Sequence, residues 1–411
     1  MARAISGQEL PAGHVHPADS IGRSARISVG ASAIVEATVA LPGVHDRTLA
    51  EGYVTQPMLM GQLSALRSRL VAGMTLNFEG ITLDRGELNA GMYGEGYVDR
   101  RHPHTLLHEI AATGMFGGGL SRFSVTVGKG FVPFGTDDPM SRPFVKYPVN
   151  HHLAQLLERV LVSAALRSGP LGLEVAAFNG DEPQSPYDSP SLDRIGDSWS
   201  VRFTGQAKGF EAQASIADVT SPELPQGGGL DHRKLSGSVR YESGSRYLLA
   251  EWARTRELDN SQTVFAFNSM LAEGSLTRNR VKVAFRAERT ERPEEERLTN
   301  VFRTAQPPSD LSIHGRTRWD VLSAAVSATY VKRRIGSFSP FVEVATQRPR
   351  AIVRPTVFEP EAFYGASRLW SFAAGVRLGY GMKHVRMGRY GAAVYQHVHA
   401  LVEDHSDMDM E

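Results

Sequence analysis

The apolar residues of this chain recur with period two. From Ile27 the odd positions run Ile27, Val29, Ala31, Ala33, Val35, Ala37 and Val39, opposed by Arg26, Ser28, Gly30, Ser32, Glu36 and Thr38. The same division marks residues 70–79, 122–129, 171–178, 199–208, 210–216, 234–242, 281–288, 322–330 and 370–380. Successive side chains of a strand point to opposite faces, whereas a helix repeats every 3.6 residues, so the pattern predicts half-buried strands throughout. A helical start is the competing reading only for residues 151–167.

Alternation alone fits any half-buried sheet. Two further signs point to a membrane wall. The apolar rows start or finish on aromatic residues, as at Trp199, Tyr241, Trp370 and Tyr380, which suits girdles at two lipid–water interfaces. Connections also alternate in length. Tight ones fall near residues 117–119, 168–170, 208–209, 243–245, 275–279 and 332–336. Long polar ones are expected near 42–66, 134–150, 181–195, 220–231, 291–314 and 348–366, with a short exception at 257–261. The expected fold is therefore all-β: a closed antiparallel transmembrane β-barrel of about 16 strands, with 18 as the alternative. Closure is required because an open edge in lipid leaves backbone groups unpaired at several kcal/mol each. A barrel of this size encloses an aqueous lumen.

The expected organisation is a flexible lead-in at 1–23, the barrel at 24–381, and a C-terminal hairpin or tail at 382–411. The last strand ends near Tyr380, or residues 383–402 add one more hairpin.

Composition narrows the partners. With 45 basic and 44 acidic residues the net charge is +1, which gives no reason to expect nucleic acid. Cys is absent, so disulfides and thiolate metal sites are excluded. No run of 18 apolar residues exists, so no transmembrane helix is expected. Residues 1–10 lack the apolar core of a secretory leader.

The candidate chemistry lies on the polar face of the wall. Arg202, Lys208, Lys234, Arg240, Lys282, Arg286 and Arg377 face the expected lumen with Glu79, Glu211 and Glu242. A basic excess there favours anions; the alternative is that these charges pair with one another and merely solvate the wall. The loop carrying Asp137, Asp138, Arg142 and Lys146 follows a strand end and is a candidate constriction, or an ordinary outer loop. Histidines cluster at His14/His16, His102/His104/His108, His151/His152 and His397/His399/His405. The last set, beside Asp407, Met408 and Met410, is a candidate copper site. No nucleophile elbow, phosphate loop or zinc-protease motif occurs, so neither an enzyme nor a cofactor is expected.

Three stretches carry a resemblance. Residues 125–135 read Val-Thr-Val-Gly-Lys-Gly-Phe-Val-Pro-Phe-Gly, residues 150–159 end on a Glu-Arg pair, and residues 172–181 close a strand on Asn-Gly-Asp. Together these resemble the phosphate-selective porin-like outer-membrane family. The resemblance covers about 60 residues by motif. It implies a 16-stranded outer-membrane channel, usually trimeric, surrounded by lipid and passing small hydrated solutes. The family's basic selectivity residues have no individual match here, so phosphate selectivity is not carried over. A metal-handling barrel and a soluble all-β binding protein are the alternative functions.

Overall fold

The computed structural model describes residues 25–44, 47–82, 104–118, 121–136, 139–183, 185–222, 227–295, 313–332, 336–353, 359–381 and 386–394. Sixteen strands form one closed antiparallel ladder. In order they are β1 (Arg26–Val44), β2 (Arg47–Ala65), β3 (Leu70–Asn77), β4 (Leu107–Gly118), β5 (Ser121–Gly130), β6 (Arg159–Ser168), β7 (Leu171–Phe178) and β8 (Ser198–Ala207). The second half comprises β9 (Phe210–Val219), β10 (Asp231–Ser243), β11 (Arg246–Asp259), β12 (Gln262–Arg278), β13 (Val281–Glu295), β14 (Ile313–Ala328, resuming over Tyr330–Lys332), β15 (Gly336–Ala351) and β16 (Leu369–Gly381). Each strand pairs with its sequence neighbours, and β16 pairs with β1 in the register Ala374↔Ala37, which closes the cylinder.

Burial is inverted relative to a soluble protein. Large apolar side chains point outward, among them Phe285 (65% exposed), Leu322 and Met270. Their polar neighbours, including Arg286, Ser269 and Thr290, are buried inside. An outer surface this apolar suits lipid and argues against the soluble alternative. Trp199 and Trp370 lie outward at the strand ends that follow long loops, and Phe210 and Tyr380, with the half-buried Tyr241, stand at the opposite ends of their strands. The Phe210 and Tyr241 rings pack 4.6 Å apart. Among the described residues no helix is long and apolar enough to cross a membrane.

The structure corrects the sequence reading in three places. Residues 42–66 are not a long loop: β1 and β2 form a hairpin with partners down to Val44↔Arg47. The strand was hidden because a bulge at Gln56–Pro57, where Gln56 has φ +49, shifts the alternation by one residue. Thr55 is buried on one side of it and Met58 and Met60 on the other. Glu79 is not on a strand: β3 ends at Asn77 and Glu79 opens a helical turn, α1 (Glu79–Thr82). Residues 386–394 form no hairpin strand either. They bend through Gly388 (φ 69) and Gly391 (φ 50) into a short 3-10 turn. The helical start within 151–167 is confined to α2 (His151–Ala154), followed by β6.

Candidate functional site in the barrel lumen

Among the described residues, two segments reach furthest into the barrel interior. The longer is the connection from β5 to β6, residues 131–158. Its ends pack on one side of the wall, where Val132, Phe134 and Leu156 meet Leu161 of β6, Phe178 of β7 and Ala217 and Val219 of β9. Its middle reaches the opposite side. Phe144 packs on Ala284 of β13 and Ala325 of β14, and Val145 and Tyr147 pack on Ile34 of β1 and Phe341 of β15. Leu153 and Ala154 pack on Ala253 of β11 and Phe267 of β12. The loop thus spans the lumen.

Local sequence dictates how the loop leaves β5. Gly135 has φ +69, and a Cβ there would collide with the Ala154 carbonyl oxygen, so the outgoing and returning arms touch only because glycine is present. Gly135 N–H donates to Ser215 Oγ (2.9 Å).

Wall carboxylates receive the loop. Arg142 Nη2 donates to Glu251 Oε2 (3.0 Å) and Asn150 Nδ2 to Glu251 Oε1 (2.8 Å). Lys146 Nζ donates to Glu36 Oε1 (2.7 Å) and to Thr38 Oγ1 (2.7 Å). The backbone N–H of Val149 donates to Glu288 (2.8 Å), and those of Val145 and Lys146 donate to Glu343. Charge-assisted bonds of this kind are about twice as strong as neutral ones. Wall cations grip loop carbonyls in return. Arg286 Nη1 donates to Lys146 O (2.8 Å) while its guanidinium lies 4.3 Å from the Phe144 ring centroid. Arg377 Nη2 donates to Phe144 O (2.6 Å), and Lys234 Nζ to His152 O (2.7 Å).

The returning arm ends in a knot. Glu158, in the left-handed conformation (φ +46), is buried and accepts from His108 Nδ1 (2.8 Å), His104 Nδ1 (3.2 Å), Thr105 N (3.0 Å) and Lys129 Nζ (3.2 Å). Burial pushes its carboxyl up, yet His108, His104 and Lys129 together prevail and hold it well below the ordinary carboxylate range.

The shorter segment, residues 386–394, re-enters the lumen after β16. Arg389 donates to Glu211 of β9 (2.8 Å) and lies 3.6 Å from Glu174 of β7, while Arg386 bonds Glu211 (2.6 Å). Burial, with Arg202 and Arg386 nearby, pulls Arg389 down to about 10. Tyr390 donates to Phe131 O (3.0 Å), and burial, with Glu109 close by, pushes its hydroxyl well above the usual range. Ala392 N–H donates to Ser124 Oγ (2.9 Å). Arg202 joins everything together: it is bidentate on Glu174 (2.7 Å each) and donates both to Gly135 O of the loop and to Gly388 O of the inserted segment.

The residues singled out from sequence separate accordingly. Arg142, Lys146, Arg202, Arg286, Arg377, Lys234 and Glu211 meet at the inserted segments. Lys208 and Glu242 are exposed at turns, with Arg240 beside Glu242 and over the Tyr247 ring. Lys282 is partly exposed on β13. Glu79 accepts from Thr55 Oγ1 (2.6 Å), Gln56 N and Asn77 Nδ2, and so ties α1 to the bulge of β2 and the end of β3. Asp137, Asp138, His397, His399 and His405 lie outside the described residues. Sequence reasoning missed Glu158, Glu174, Glu251, Glu343 and Arg389. The alternation around Glu174, between Leu173 and Val175, does place it inward.

No protein-family model matches the chain, and no curated protein is similar to it in sequence. Solved structures share its fold. An anion-selective porin from Comamonas acidovorans superposes with a TM-score of 0.55 at 10% identity, covering 87% of this chain and 100% of that one. OmpF of Salmonella typhi, solved in complex with daunomycin, gives 0.52 at 10% identity over 86% and 97%. The trimer form of OmpT from Vibrio cholerae, an outer membrane protein, gives 0.50 at 8% identity over 87% and 100%. The fold is that of the outer-membrane porins.

Proposed function

We propose that this chain is a bacterial outer-membrane channel through which small hydrated solutes diffuse, with residues 131–158 as its constriction. The observation that carries the reading is the course of that loop, which leaves one side of the wall and is received on the other by Glu36, Glu251, Glu288 and Glu343. A channel works by replacing the low-dielectric barrier of lipid with a polar path, and needs no reacting group. No catalytic role is assigned to any residue, and no phosphate selectivity.

The anion preference we propose is mild. Arg142, Arg202 and Arg286 stand against Glu251, Glu174 and Glu273, and paired charges leave only a small net field. Arg377, on the carbonyl oxygens of Arg142 and Phe144, puts positive charge beside the constriction. The porin fold and the OmpT trimer support a homotrimer in the membrane. Reconstitution into planar bilayers tests this reading: discrete conductance steps with a small anion-directed reversal potential in a KCl gradient support it. Absence of steps at any voltage refutes it.

A further inference from the structure

We propose that His104, His108 and Glu158 form a divalent transition-metal site of the zinc class, which clamps the returning end of the lumen loop to the start of β4. The three side chains are buried, and their ligand atoms lie within 4.8 Å of one another. Two imidazoles and a carboxylate are a donor set suited to Zn²⁺. The spacing fits as well. Bonds of 2.0–2.1 Å at a tetrahedral angle put neighbouring ligand atoms about 3.3 Å apart. His104 Nδ1 lies 3.2 Å from Glu158 Oε1, and His108 Nδ1 lies 2.8 Å from the same oxygen. To admit the ion, His108 withdraws from that oxygen by about 0.5 Å and the two imidazole nitrogens, within 4.8 Å of each other, come to about the same spacing.

The surroundings hold the Glu158 carboxylate as outer-shell partners do. Thr105 Oγ1 and Lys129 Nζ bond Glu158 Oε2, Thr105 N–H is shared between Oε2 (3.0 Å) and Oε1 (3.2 Å), and Oε1 also faces the two imidazoles. His108 Nε2 is buried without a hydrogen-bond partner. To offer the Nδ1 lone pair to a metal, the ring gives up its Nδ1–H bond to Glu158 and carries its proton on Nε2 instead. A cavity of about 20 Å³ adjoins His104 and Glu158, with His152 and Gln155 also on its wall. That volume holds one water molecule beside His104 and Glu158; His108 does not line it.

The site does not depend on the channel reading, because it is built from strand and loop geometry alone. The test uses the full chain, folded in detergent, stripped with EDTA and titrated with Zn²⁺ by calorimetry. His108→Gln and Glu158→Gln are compared with a variant in which His397, His399 and His405 are all changed to Ala. One Zn²⁺ per chain is expected, bound at least tenfold more weakly by His108→Gln and Glu158→Gln and unchanged in the triple variant. Binding unaltered by His108→Gln and Glu158→Gln, or abolished in the triple variant, overturns the proposal. Heat-modifiable migration checks folding. Where the two Gln variants fail that check, X-ray absorption on the zinc-loaded triple variant decides. Two imidazoles with a carboxylate oxygen support the site, and fewer than two imidazoles reject it.

Discussion

Arg142 of the lumen loop and Glu251 of β11 meet with Nη2 and Oε2 3.0 Å apart, both side chains almost wholly buried. The pair ties the tip of a loop rooted beside β5 to the far wall. Removing one partner of a buried pair typically costs about 3–5 kcal/mol, because the other charge is left without its counterion. Arg142→Ala should therefore loosen the loop while the strand ladder, which Arg142 does not enter, stays closed. The expected readout is a noisier channel of higher mean conductance, with heat-modifiable migration unchanged. An identical conductance trace would detach Arg142 from the constriction.

Arg389 links the inserted C-terminal segment to Glu211 and Glu174. Arg389→Ala removes that link, with Arg386 still on Glu211. Residues 386–394 should then leave the lumen part of the time. Limited proteolysis checks this: cleavage after residue 381 should be faster in the variant than in the parent chain, at the same protease concentration.

Glu158 is the acceptor on which His104, His108, Thr105 and Lys129 converge. Glu158→Gln, studied in EDTA so that metal plays no part, strands the Lys129 ammonium beside a neutral amide. A loss of about 3 kcal/mol is expected from a broken buried pair, read as a lower midpoint in urea unfolding of the folded barrel. A midpoint equal to the parent's would show that the knot contributes nothing to stability.

Leu322 tests the outer wall. It faces outward near the middle of β14 and is 62% exposed. An arginine on the lipid face near the midplane destabilises a transmembrane barrel by about 2–4 kcal/mol. Leu322→Arg should lose about that much in folding titrations into lipid vesicles, whereas Ser323→Arg, pointing the other way, should cost far less. Equal costs at the two positions would contradict the assigned faces.

The strands were legible because one residue in two decides the face, and Trp199, Phe203 and Phe285 keep that rhythm without interruption. β2 was not, because the bulge at Gln56–Pro57 reverses the phase midway. The lumen contacts were legible only in kind. Arg142 and Lys146 stand in a polar loop that invites the reading of a constriction, but their partners lie far away in sequence: Glu251 is 109 positions from Arg142, and Glu343 is 198 from Val145. Only barrel closure fixes which strands face one another across the lumen. The re-entry of residues 386–394 carries no periodic signal at all; it rests on two glycines and two arginines whose partners are on β7 and β9.

On the proposed function, residues 131–158 set the width of the diffusion path. Single-channel conductance in planar bilayers, compared between the parent chain and a variant with residues 139–150 replaced by a short Gly-Ser linker, tests it most directly. Discrete channels are expected in both, with a clearly larger unitary conductance in the variant. Equal conductance in the two, or no channels from a correctly folded parent, would contradict it.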